Sequence, residues 1–140
     1  MKGLLGYKRG MARIFNEKGL AVPVTVIEAG PCVVTQIKTT ERDGYQAIQL
    51  GFGAVKEARL TMAERGHLRA SGGMPLRHVR EFRVAGDPDV ALGATLDVSL
   101  FAPGDRIQVT ATSRGLGMAG TIKRHHFNRQ RKSHGQSDRE

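Results

Sequence analysis

From Leu20 onward the apolar residues arrive in short clusters bounded by turn formers. LAVPVTVIEAG (Leu20 to Gly30) and CVVTQIKTT (Cys32 to Thr40) are rich in β-branched residues and are separated by Gly30-Pro31. Strong strand propensity on both sides of a breaker predicts two neighbouring strands. ERDG (Glu41 to Gly44) reads as a tight turn. YQAIQLGFG then alternates apolar positions with Gln46 and Gln49, as a half-exposed third strand does. Between Ala54 and about Gly73 the pattern changes to good helix formers interrupted by Gly66, predicting one or two short helices that end at Gly72-Gly73 and Pro75. RHVREFRV is compatible with a strand bearing a cationic face. The β signature returns in ATLDVSLF and, after the turn APGDR, in RIQVTAT, where Ile107, Val109 and Ala111 alternate with polar residues.

Several short strands at regular spacing with one helical excursion predict a mainly β chain built as a small barrel carrying an insertion. At 140 residues a single domain over 1–140 is expected. Within it, 1–15 forms a basic N-terminal arm, 20–53 and 77–112 supply barrel strands, and 54–76 is the helical insertion. The segment 113–140 begins a glycine-rich basic extension. Beyond Thr121 the apolar supply thins to Ile122 and Phe127, too little to order a segment without a partner.

Charge adds what the pattern lacks. Lys and Arg number 22 against 13 acids, a formal net charge of +9, which attracts polyanions over long range and in a salt-dependent way. The cations are concentrated. Lys2, Lys8, Arg9 and Arg13 precede the first acid, Glu17, among Gly3, Gly6 and Gly10. Arg114, Lys123, Arg124, Arg129, Arg131 and Lys132 follow near the other end, with no acid between Arg114 and His134. His125, His126 and His134 add donors, and phosphate nearby would favour their charged forms. The single cysteine, Cys32, sits in an apolar stretch and excludes both an intrachain disulfide framework and a Cys-based zinc site. No apolar run is long enough to span a bilayer. The opening residues lack the continuous apolar core of a secretory signal.

The stretch TSRGLGMAGTIKRHHF contains a literal G-x-G-x-x-G at Gly115, Gly117 and Gly120. A dinucleotide fold needs a following helix and a second strand ending in an acid about 20 residues on. Asp138 has that spacing, but no apolar strand lies between. The same glycines serve nucleic acid better, because absent Cβ atoms let backbone amides approach phosphate oxygens. Arginine forks hold phosphates bidentately and lysine acts as a point charge. Aromatics are too sparse for a stacking platform, and neither helix-turn-helix nor zinc-finger spacing occurs, so backbone and shape recognition of folded RNA fits best. No catalytic constellation stands out; His125, His126 and His134 lack nearby Cys or acid to complete a metal site. Two alternatives remain: an enzyme using Gly115, Gly117 and Gly120 for a nucleotide cofactor, and a transient RNA-binding translation or maturation factor.

Four strings, MKGLLGYKRGMARIF, VPVTVIEAGPCVVTQIKTTERDGYQAIQLGFG, DRIQVTATSRGLGMAGTIKRHHF and SHG, occur here in order. Through them the chain resembles the bacterial large-subunit ribosomal protein family L-three over nearly all its length. The resemblance implies a translation-protein β-barrel with an inserted helical segment, bound to large-subunit ribosomal RNA and to neighbouring large-subunit proteins in the cytoplasmic ribosome. It implies a role in subunit assembly near the peptidyl transferase region, with no catalysis, cofactor, membrane or small-molecule substrate. Lys2, Lys8, Arg9 and Arg13 match the family's basic start; Arg114 through Gly120, Lys123, Arg124 and His125 match the segment entering its rRNA-facing extension. Ser133-His134-Gly135 matches the next landmark. Met118 stands where the family usually has Phe. Family members continue after the position of QSDRE, completing the loop and adding the last barrel strands, so open strand edges are expected here.

Overall fold

The computed structural model describes residues 2–86 and 90–128. It divides into two compact units, Met1–Asp105 and Arg106–Glu140. The first unit is mainly β: two sheets with short helical turns and, among the described residues, no closed barrel.

The first sheet is an antiparallel ribbon of β1 (Gly6–Phe15) and β2 (Ala21–Ala29). Its turn is built by Asn16, whose Oδ1 accepts from the backbone N–H groups of Lys18 and Leu20 at 3.1 and 2.9 Å, while Gly19 takes the left-handed conformation at φ 72°. The segment expected as a free basic arm is therefore strand over most of its length. Its glycines and cations have little strand propensity of their own. The Val-rich β2 opposite supplies the pairing that decides the matter. β2 and the next strand are also not sheet neighbours. At Gly30 (φ 70°), whose N–H donates to the Leu5 carbonyl at 3.1 Å, the chain leaves the ribbon and enters the second sheet.

That sheet contains β3 (Cys32–Lys38), β4 (Ala47–Ala54), β5 (Leu76–Arg83) and the two-residue β6 (Thr95–Leu96), in the order β5-β4-β3-β6 and antiparallel throughout. The predicted turn after β3 is a single helical turn, α1 (Thr40–Asp43), closed by Gly44 at φ 80°. β3 and β4 are central and covered on both faces; β4 is thus buried rather than half-exposed as its alternation predicted, with Gln49 only 8% exposed and hydrogen-bonded to Thr35. One face buries Cys32, Val34, Ile48, Leu50 and Phe52, with Leu4, Leu5, Phe82 and Leu96 packed against them. The other buries Val33, Leu68 and Leu76. Each fully buried aliphatic side chain contributes about 1.5–3 kcal/mol. Burial pushes the Cys32 thiol pKa up, opposed by its backbone hydrogen bonds with Leu5 and Gly30.

Leu68 comes from α2 (Met62–Leu68), which lies within the predicted helical excursion. A capping box starts it: Thr61 Oγ1 accepts from the Glu64 N–H, and the Glu64 carboxylate accepts from the Thr61 N–H at 2.8 Å. These bonds hold the Glu64 carboxyl below the usual range. Gly66 is accommodated inside the helix, and Gly72 at φ 105° ends the 3-10 turn that follows.

Two predicted strands come out differently. In ATLDVSLF only Thr95–Leu96 pairs, because the Asp97 carboxylate accepts from the Ser99 N–H at 2.9 Å and turns the chain into a 3-10 turn. RIQVTAT forms no strand among the described residues; Ile107 and Val109 are exposed. Alternation is necessary for a strand, but a pairing partner is also required. In the second unit the described regular element is α3 (Thr121–His125).

Candidate nucleic-acid interface

In the ribbon, register sorts the cations. β1 carries a bulge between Lys8 and Gly10, which gives Arg9 no partner of its own on β2. Lys8 then pairs with Ile27, Met11 with Thr25, Arg13 with Pro23 and Phe15 with Ala21. Directly opposed residues share a face, and residues two apart on β2 do as well. Lys8, Met11, Arg13 and Phe15 therefore lie on one face. Lys8 and Arg13 are five positions apart, so a regular strand would place them on opposite faces; the inserted residue reverses that parity. Phe15 and Met11 are 70% and 68% exposed on this face, beside the two cations. The opposite face carries Ala12, Ile14, Val22, Val24, Val26 and Tyr7, and the Tyr7 ring packs on Phe52 and His78 at 5.0 and 5.5 Å between centroids.

The four N-terminal cations are not equivalent. Arg9 is ion-paired with Glu28, and Lys2 with Asp105 at 3.3 Å. The Asp105 carboxyl is held below its ordinary pKa, chiefly by the Ala102 N–H and then by Lys2. Lys8 and Arg13 have no ion pair among the described residues.

In the second unit Arg114 is exposed in irregular chain, and the three glycines differ in what they require. A Cβ added at Gly115, Gly117 or Gly120 would meet nothing within 4 Å, so no packing inside the chain demands glycine there. Only Gly117 needs it for backbone conformation, at φ 65°. The backbone is consequently open to another molecule. Gly120 precedes α3 and its carbonyl accepts from the Arg124 N–H at 2.9 Å. Lys123, Arg124 and His125 occupy the last turn of α3, and His126 ends it in the left-handed region at φ 57°. The rings of His125 and Phe127 lie 5.9 Å apart. α3 has five residues and no strand leads directly into the glycines before it among the described residues, so the parts of a dinucleotide fold are not assembled around the G-x-G-x-x-G. Arg129, Arg131, Lys132 and His134 lie outside the described residues. No helix among those described is long and apolar enough to cross a membrane.

Sequence reasoning missed a polar network on the α2-covered side of the second sheet. Thr35 donates to Gln49 Oε1 at 2.8 Å, His67 Nε2 lies 2.6 Å from the same oxygen, and Gln49 Nε2 donates to Glu81 at 3.3 Å. Because Gln49 Oε1 already accepts from Thr35 and its amide nitrogen serves Glu81, His67 must carry its proton on Nε2. Lys38 donates to the Tyr45 hydroxyl at 2.8 Å and pairs with Glu81 at 2.9 Å, and Tyr45 donates to Glu81 at 2.8 Å. The Tyr45 hydroxyl, then Glu81, holds Lys38 above the usual lysine range; Lys38, then Tyr45, holds Glu81 below the usual carboxylate range. The Tyr45 ring also faces Lys38 Nζ and the Arg83 guanidinium at 5.1 and 5.2 Å. This network ties α2 to the sheet. The T-x-x-E spacing of Thr61 and Glu64, which the sequence reading did not use, is a signal for the start of α2; no local signal marks Gln49 as buried beside His67.

No protein-family model matches the chain. Curated relatives do. The chain is 53% identical over 134 residues to "Large ribosomal subunit protein uL3" of Pelotomaculum thermopropionicum, covering 96% of this chain and 64% of that protein. It is 52% identical over 139 residues to the protein of the same name from a Roseiflexus species, covering 99% and 66%, and 49% identical over 133 residues to that of Acaryochloris marina, covering 95% and 63%. The chain thus spans just under two thirds of the length of these relatives. With identity near one half sustained along almost all of its residues, the chain belongs to the large ribosomal subunit protein uL3 family.

Proposed function

We propose that the chain is a structural, non-catalytic constituent of the large ribosomal subunit in the cytoplasm. It binds large-subunit rRNA through its glycine- and cation-rich segments and supports assembly near the peptidyl transferase region beside neighbouring ribosomal proteins. The observation that carries this reading is the pairing of open backbone with cations that have no ion pair among the described residues. Gly115, Gly117 and Gly120 leave room for phosphate against main-chain amides, and Arg114, Lys123 and Arg124 stand beside them with no acid in the stretch. The ribbon face bearing Lys8 and Arg13 supplies a second contact of the same kind, with exposed Phe15 offering a stacking surface. The domain boundaries follow function: a basic start, a strand body with a helical insertion, and a basic extension from residue 113. Within that extension Arg129, Arg131, Lys132 and His134 continue the cationic track begun at Arg114, with His125 and His126 as further donors.

The test is binding of the chain to a large-subunit rRNA transcript across a salt series. Counterion release makes log affinity fall linearly with log salt, at about 0.7–0.9 per phosphate neutralised. Replacing Arg114, Lys123 and Arg124 together by Ala flattens the slope by about 2.1–2.7 if each meets one phosphate. A salt-independent affinity refutes the proposal. Retention on large subunits through a high-salt wash separates a resident constituent from a transient factor.

A further inference from the structure

The rings of His125 and Phe127 form a pair that charge alone does not account for. Their centroids are 5.9 Å apart at a tilt of 42°, so neither ring lies flat on the other. Phe127 is 60% exposed, and every residue from Thr121 to Asn128 is exposed, so the pair serves no core. Residues two apart on a helix do not face one another. His126, in the left-handed region at φ 57°, ends α3 between them and lets the two rings meet. That conformation is uncommon for a residue with a side chain, and such residues cluster at ligand-binding positions. Lys123 and Arg124 stand on the same turn, with no acid between Arg114 and His134.

From these we infer that the His125–Phe127 pair is a stacking site for one unpaired nucleobase, whose flanking phosphates are held by Lys123 and Arg124. The inference rests on the RNA-binding reading and adds to it. The glycines and cations meet backbone, whereas this pair would receive a base that has left its own stack. Unstacked bases of loops and bulges are what aromatic side chains take up in folded RNA, and any base offers a π-face to them. The neighbouring cations supply the phosphate contact that such a base brings with it. An apolar protein surface fits less well, since closing on the rings would strip Lys123 and Arg124 of water without offering a counter-charge.

The test uses the full chain and two fluorescent RNA hairpins, one with a single bulged adenosine and one abasic at that position, followed by anisotropy across a salt series. The adenosine hairpin should bind about 5- to 150-fold more tightly than the abasic one, the span that stacking of one base supplies. Phe127→Leu keeps an apolar side chain but removes the ring, so it should abolish that preference and leave the salt slope as it is. Phe127→Trp should keep the preference, and His125→Ala should reduce it. Equal affinity for the two hairpins, binding of neither, or a preference indifferent to Phe127→Leu or to His125→Ala overturns the inference. So does a flattened salt slope in Phe127→Leu, which would make the ring a support for the cations. The proposed function fails separately, through a salt-independent affinity for the rRNA transcript.

Discussion

The distinction between paired and unpaired cations on the ribbon gives a quantitative prediction. Lys8 and Arg13 share an exposed face and have no ion pair among the described residues, whereas Arg9 is matched by Glu28 and Lys2 by Asp105. A cation already held by a carboxylate has to exchange that partner for phosphate, so it adds less to the net counterion release than an unpaired one. Replacing Lys8 and Arg13 together by Ala should therefore flatten the dependence of log affinity on log salt by about 1.4–1.8, two contacts at 0.7–0.9 each. Between about 50 and 200 mM salt the parent should lose about 7- to 12-fold more affinity than this variant. The charge-neutral variants Arg9→Ala with Glu28→Ala, and Lys2→Ala with Asp105→Ala, should leave the slope as it is. The assay is filter binding or anisotropy with an rRNA transcript at four or more salt concentrations, with thermal unfolding to confirm that each variant is folded. An unchanged slope in the Lys8/Arg13 variant refutes the reasoning. A slope flattened equally by the neutral variants refutes it too, because diffuse attraction rather than the ribbon face would then govern binding.

Three further outcomes follow from the packing. Leu50→Ala should destabilise the chain by about 2–5 kcal/mol in urea unfolding, since Leu50 is fully buried in the larger core cluster. Gly53→Ala should cost about 1–2 kcal/mol for its φ of 79° alone, and the new Cβ, 3.0 Å from the Tyr7 hydroxyl, should disturb the ring that joins the ribbon to the second sheet; near-ultraviolet circular dichroism of the tyrosine reads this out. Glu81 is held below its unfolded pKa of about 4.3, so its contribution is fully present above that value and is lost as pH falls through the folded value. Glu81→Gln should accordingly flatten the decline of stability on acidification below about pH 5, with little change in shape at pH 7.

Much of the second sheet was readable because it obeys local rules. CVVTQIK and AIQLGFG form strands as predicted, Gly44 supplies the left-handed end of the intervening turn, and Gly72 ends the helical excursion as predicted; AIQLGFG is nonetheless buried on both faces rather than half-exposed, because α2 covers the face that carries Gln49. The readings that differed depended on partners distant in sequence. β1 exists because β2 lies opposite it, whereas RIQVTAT has as good an alternation and no strand beside it among the described residues. Asp97 ended a strand that its neighbours favoured, through the two hydrogen bonds its carboxylate accepts from the Ser99 N–H and hydroxyl. The cationic segments were legible as composition, since clustering of Lys and Arg without acids needs no structure to be seen.

By itself the sequence determined which residues carry charge, which apolar runs form strands in the second sheet, and where glycine must turn the chain. Tertiary structure decided which cations are ion-paired. Arg9 and Lys2 are neutralised by acids 19 and 103 residues away. Lys8 and Arg13 share a face only because one extra residue sits between them without a cross-strand partner. Strand parity is a property of pairing, and pairing joins residues that the linear pattern cannot bring together.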